Sequence, residues 1–350
     1  MSARPGGATS AIRGVHPGFR AATRACTGRA LATALLVSLL LALASGCNTF
    51  SRRRAEAEYG PSEGLLETVA VLRRHVADDT YRFPPASDFT GRNVYRASLL
   101  RLENLERTHA DAMRSGTMDA VVAFAKARAL ERLRAFDLAA DHYRESARLS
   151  EEMRAEALAS AAFCDRLDHA TRTGLDLVDP LAEAGTAPMP LDPDRVVAEL
   201  DERVAQLSTL LEDVGETHYR WIVQEEIERA DEARAAYFVA IRAVLPDGTL
   251  RALQELQRVA TRHGASKSRL RHLLRLADFY AELSREYLDA VPPASLAFDP
   301  ARLRESAEAA IRLYELVASH DGRPEKLEAS RRLEAFLALT LGIDADRFDR

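Results

Sequence analysis

The chain has 350 residues, of which 47% are hydrophobic, 29% charged and only 6% aromatic, with 17 Gly and 14 Pro. This composition excludes collagen-like, disulfide-rich and low-hydrophobicity disordered chains, and the length suits one large domain or two of ordinary size. With Ala, Leu and charged residues dominant, long amphipathic helices are expected and a β-rich fold is not. Basic residues number 48 against 53 acidic, a net charge of −5, and no acidic residue precedes Glu56.

The first 46 residues carry Arg4, Arg13, Arg20, Arg24 and Arg29, so the chain beyond them has 43 basic against 53 acidic residues, a formal balance of −10. Sequence-independent nucleic-acid binding depends on neutralising phosphates, and no long basic stripe offsets this balance, so DNA and RNA are not expected partners. Ala30 to Ala44 is apolar except for Thr33 and Ser38, and it follows the arginine-bearing stretch in the order of an export signal. Those 15 residues are short for a membrane span, which needs roughly 20. The run ends in Leu43-Ala44-Ser45-Gly46-Cys47, which resembles the lipobox of bacterial lipoproteins. The resemblance implies cleavage before Cys47, with that cysteine diacylated and exposed as the new N-terminus. Ala44 stands where the family more often has Leu. Asn48 follows where an Asp often retains such proteins at the inner membrane, which implies the outer-membrane class, facing the periplasm.

Residues 1–46 are thus expected as a signal peptide and 47–61 as a lipidated tether. Arg52, Arg53 and Arg54 in that tether either touch anionic headgroups or belong to a solvated linker. Of three cysteines, Cys26 precedes the cleavage point, Cys47 takes the lipid and Cys164 alone stays a thiol. No intramolecular disulfide is then possible, and the setting Ala161-Ala162-Phe163-Cys164 predicts burial.

Eleven helices are expected. In residues 62–173 they cover Leu65 to Ala77, Val94 to Met113, Met118 to Arg134, Leu138 to Leu149 with Asp137 as N-cap, and Glu151 to Ala170. Residues 174–193 hold Gly174, Pro180, Gly185, Pro188, Pro190 and Pro193, too many breakers for a helix interior, and mark the best internal boundary. This connection is either a hinge or an ordered strap fixed by Leu175, Leu177, Leu181 and Met189.

The C-terminal hairpins, 194–341, begin at Pro193-Asp194. A helix of about 28 residues from Thr217 to Leu245 is expected as the longest, about 40 Å at 1.5 Å per residue, with Val223, Ile227, Ala230, Tyr237, Ile241 and Val244 on one stripe. Pro246-Asp247-Gly248 turns the chain. Helices follow through Leu250 to Val259 and Leu270 to Tyr287. Asp299-Pro300 then reads as N-cap and N1 proline of a helix through Val317, and Glu325 to Leu341 is the last, leaving 342–350 as a tail.

Ala127, Ala139, Tyr143 and Ser146 fall at positions 8, 20, 24 and 27 of a 34-residue frame starting at 120, and this resembles the tetratricopeptide repeat. Ala310, Tyr314 and Val317 repeat the last spacings, as do Ala252, Leu256 and Val259. Ala123 stands where the repeat has an aromatic. The resemblance covers 120–170 and 250–341 and implies a concave protein-binding surface. The fold class is therefore all-α, stacked antiparallel helical hairpins arranged as a tetratricopeptide-like α-solenoid or an irregular bundle.

Chemical motifs are sparse. Glu106-Arg107-Thr108-His109 has ferritin-like spacing but no second such pair, which favours a solvated helix end. Glu225, Glu226, Glu228, Asp231 and Glu232 follow His218, Tyr219 and Trp221. A divalent-metal or basic-ligand site is conceivable there, but Arg220, Arg229 and Arg234 at helical pairing distances favour a charged outer face. His263, Lys267, Arg269, Arg271 and His272 form the most basic patch. Lys267, Arg269, Arg271 and His272 are the residues expected to receive an acidic partner segment, with a solvated turn as the plainer reading. No glycine-rich phosphate loop, Gly-x-Ser-x-Gly elbow or paired-cysteine zinc spacing occurs, and no cofactor is expected. The expectation is a non-enzymatic, lipid-anchored envelope scaffold with a protein partner. The alternative is an envelope enzyme, for example one acting on cell-wall glycan through an unrecognised carboxylate pair.

Overall fold

The computed structural model describes residues 61–76, 94–111, 118–173 and 192–348. The expected signal segment, Cys47 and the expected tether as far as residue 60 lie outside the described residues, as do residues 174–191, whereas Pro61–Arg350 forms one compact unit whose first helix takes in Pro61. Among the described residues there are eleven helices and no strand. They are α1 (Pro61–Val76), α2 (Val94–Thr108), α3 (Met118–Arg132), α4 (Phe136–Leu149), α5 (Glu151–Arg172) and α6 (Pro193–Val214), then α7 (Tyr219–Ile241), α8 (Gly248–Arg262), α9 (Arg269–Ala290), α10 (Pro300–Ala318) and α11 (Pro324–Phe348).

Local chemistry fixes most helix starts. Asp192 accepts a hydrogen bond from the Arg195 amide at 3.2 Å and Asp299 one from Ala301 at 2.8 Å, each followed by a proline whose missing N–H costs nothing there. Ser150 caps α5 through the Met153 amide. Asp137 is not the cap of α4: the helix starts one residue earlier at Phe136, and Asp137 sits in its first turn, accepting from the Leu138 amide. Gly215 ends α6 at φ +53°, a conformation that disfavours a side chain.

Two lengths differ from expectation. α7 has 23 residues rather than 28, because 242–244 turn away and leave Val244 65% exposed beyond the apolar stripe. α11 is the longest described helix at 25 residues and carries the predicted tail as far as Phe348.

Each helix packs against the next, and α1 with α3 and α9 with α11 also touch. The apolar core is a series of clusters passed along the stack. Leu65, Leu72, Tyr95, Leu102 and Ala129 join α1 to α3, and Ala127, Ala139, Tyr143, Ala161 and Cys164 join α3 to α5. Phe163, Leu167, Leu207, Val223 and Ile227 tie α5 to α6 and α7, and Leu200, Tyr237, Ala252 and Phe279 link α6 to α9. Ala277, Ala310, Tyr314 and Phe336 close α9 to α11. The third cluster draws from both sides of residues 174–191, so the helices before and after that connection share one core. They are not separate domains.

The small-large-small spacings lie at these contacts. Ala139, Tyr143 and Ser146 are fully buried, as are Ala310 and Val317 with Tyr314 at 2% exposure. Alanine lets the helix backbones approach, tyrosine fills the remaining gap, and Ser146 Oγ donates to the Ala120 carbonyl at 2.9 Å, binding α4 to α3.

Candidate functional site

The described residues concentrate their buried ionisable groups in two places. The first is centred on Glu131 at the end of α3, whose side chain is fully buried. Tyr143 and Tyr219 hydroxyls donate to its Oε1 at 2.5 and 2.7 Å, and the Cys164 thiol points at the same oxygen from 3.7 Å. Arg128 lies one turn back, 3.4 Å from the carboxylate, with its guanidinium over the rings of Phe124, Tyr143 and Tyr219 at 5.0 to 5.5 Å. His218 touches both Arg128 and Glu131. Burial alone would raise the Glu131 pKa, but the Arg128 charge and the hydrogen bonds hold it down at about 2. Burial and the neighbouring carboxylate push the Cys164 thiol and both tyrosines well upward. A thiol held protonated is a poor nucleophile. The predicted burial of Cys164 is met, with no exposed surface.

The second place lies between α7 and the turn joining α8 to α9. Asp231 accepts from Arg258 at 2.7 Å, Arg262 at 3.0 Å and pairs with His263 Nε2 at 2.8 Å. Glu228 accepts from Ser266 Oγ at 2.8 Å and pairs with His272 Nε2 at 2.5 Å. Glu225 accepts from Lys267 at 3.1 Å and Glu232 from Arg271 at 2.6 Å. Behind them Glu226 takes both donors of Arg134 from the α3–α4 turn, at 2.7 and 2.9 Å. Burial raises the Glu228 and Asp231 carboxyls, yet their histidine, serine and arginine donors bring both below the ordinary value.

This arrangement corrects the expected charged outer face of α7. Glu226, Glu228 and Asp231 are buried, and Arg234 pairs across helices with Asp201 and Glu255. The basic turn is corrected with it. Lys267 and His272 side chains are 5% and 1% exposed and already paired, Arg271 is half-buried on Glu232, and Arg269 alone of the four is exposed. The turn is therefore not an uncompensated basic patch for an acidic segment. Its positive charge answers the acidic helix that it covers.

Glu106 pairs with Lys126 of α3, and His109 is exposed beyond the end of α2, so this pair forms no inward-facing ligand set. Cys47 lies outside the described residues. The Glu131 cluster was missed in the sequence. The only local sign was Arg128 and Glu131, three apart, within an alanine-rich helix otherwise built for burial.

Beside the second cluster, α7, α8 and α9 line an open pocket of about 390 Å³. Ala235, Val239, Leu256 and Phe279 give it apolar walls, and Glu232, His272, Arg275, Asp278 and Glu282 line the rest. No family model, curated protein or solved structure matches the chain.

Proposed function

We propose that the protein is a lipid-anchored helical adaptor of the bacterial cell envelope, held to the outer membrane through Cys47 and binding a protein partner on the periplasmic side. The observation that carries this reading is the Leu43–Cys47 run at the end of an acid-free, apolar segment, set ahead of a stack of helical hairpins. Two or three acyl chains on one cysteine, at about 0.8 kcal/mol per buried CH₂, give lasting attachment without a spanning helix. None of the described helices is long and apolar enough to cross a membrane.

The ionisable clusters fit an adaptor better than an enzyme. Glu131, Glu226, Glu228 and Asp231 join helices distant in sequence, as cross-links within the stack do. Stacked hairpins leave long side faces free for another protein, as helical arrays generally do.

Fatty-acid labelling tests the anchor. Cells given an alkyne-tagged acyl precursor are expected to label the wild-type protein and not Cys47→Ala, which should leave the detergent phase. Equal labelling of both would refute the reading. Cross-linking in intact cells should then yield one recurrent envelope protein whose capture depends on the helical stack.

A further inference from the structure

Glu228 and Glu232 stand one turn apart on the same face of α7, and His272 projects from the first turns of α9 between them. One donor atom from each of the three side chains lies within 4.8 Å of the other two. His272 Nε2 meets Glu228 Oε1 at 2.5 Å, and its Nδ1 is 3.3 Å from Glu232 Oε1. Glu228 Oε2 has no hydrogen-bond partner, and His272 Nδ1 makes no hydrogen bond but faces the Glu232 carboxylate across 3.3 Å. Both are shut off from solvent, on side chains only 3% and 1% exposed. An unmatched buried carboxylate oxygen calls for a physical explanation, and an ion held between the two glutamates and the imidazole supplies one. Elsewhere in the same cluster the acidic oxygens of Asp231 are fully matched by Arg258, Arg262 and His263.

We propose that Glu228, Glu232 and His272 bind one divalent transition-metal ion of the zinc class, fastening α7 to α9. One imidazole nitrogen and two carboxylate oxygens form a donor set for zinc, iron or manganese, whereas calcium requires six to eight oxygens. Three protein ligands leave a coordination position open, and Glu232 and His272 both line the 390 Å³ pocket, which has room for water there. The surroundings supply support for the ligands. Ser266 Oγ orients Glu228, while Arg271 and Arg275 beside Glu232 are 37% and 50% exposed and can swing into solvent as the metal charge arrives. The sequence contains the spacing Glu228-x-x-x-Glu232, but its histidine comes forty residues later, from another helix.

The test is zinc titration of the metal-stripped full-length protein in detergent, read by calorimetry, with cobalt absorption as a second probe of coordination. One zinc per chain is expected, with a rise in melting temperature that grows with zinc concentration. His272→Ala and Glu232→Gln should each weaken that site by about tenfold or more and abolish the zinc-dependent rise. Glu232→Gln keeps the shape of a half-buried side chain, so it reports on ligation even if His272→Ala unfolds. Unaltered zinc affinity in Glu232→Gln, or no saturable site in the wild type below about 100 µM, overturns the proposal.

Discussion

Glu131 gathers donors from four helices: Arg128 on its own α3, Tyr143 on α4, Cys164 on α5 and Tyr219 on α7. Glu131→Gln leaves the Arg128 guanidinium among three aromatic rings with only the exposed Glu156, 3.5 Å away, as counter-charge, which should cost about 3 kcal/mol in denaturant unfolding at pH 7. The pH dependence has a definite sign. The folded carboxyl titrates at about 2 against an ordinary 4.5, so the unfolded chain binds the proton more readily. Its stabilising share, about 3 kcal/mol by linkage, is full above pH 4.5 and disappears as pH falls toward 2. The stability gap between wild type and Glu131→Gln is therefore expected to be flat from pH 7 to 5 and to close below pH 4.5. A gap that persisted at pH 2 would contradict this assignment.

Among the elements, α8 depends on the tightest turn. A Cβ placed on Gly248 would lie 2.1 Å from the Arg242 carbonyl oxygen, a backbone atom that moves only if the Pro246-Asp247 turn is rebuilt. Gly248→Ala should destabilise by about 1–3 kcal/mol, read as a lower urea midpoint with helicity retained. Gly322 offers the contrast, since it has φ +74° but open space around it. Its substitution by alanine meets only backbone strain, about 1 kcal/mol. At the start of α10, Asp299→Ala removes the bond to the Ala301 amide and is expected to cost about 1 kcal/mol, with serine at that position restoring most of it.

At the scale of the whole molecule, cooperativity follows from how the clusters overlap. Phe163 and Leu167 of α5 share a core with Leu207 of α6 and Val223 of α7, and Arg134 reaches across to Glu226. A protease site inserted between residues 180 and 190 and then cut should yield two pieces that still co-elute and melt in one transition. Pieces that separate under native conditions would show that this shared core is too weak to hold them.

Each helix was legible in the sequence because its signals are local. Apolar residues recur every three to four positions, Pro193-Asp194 and Asp299-Pro300 begin helices, and Gly215 ends one; the Asp192 cap came only with the structure. The burial of Cys164 followed from its Ala161-Ala162-Phe163 setting, and that of Ala139 and Tyr143 fits their small-large-small spacing. The direction in which α7 turns its acids was not legible. Within one helix, Arg229 three and four positions from Glu226 and Glu225 looks like an outer ion-pair ladder, and those pairs do form. The partners that bury Glu228 and Asp231 come from 27 to 44 residues along the chain, from α8, α9 and the turn between them. Helical periodicity has no reach over that distance. Only the folding back of α8 and α9 brings the basic turn onto the acidic helix, converting two apparently solvated charge runs into one buried network.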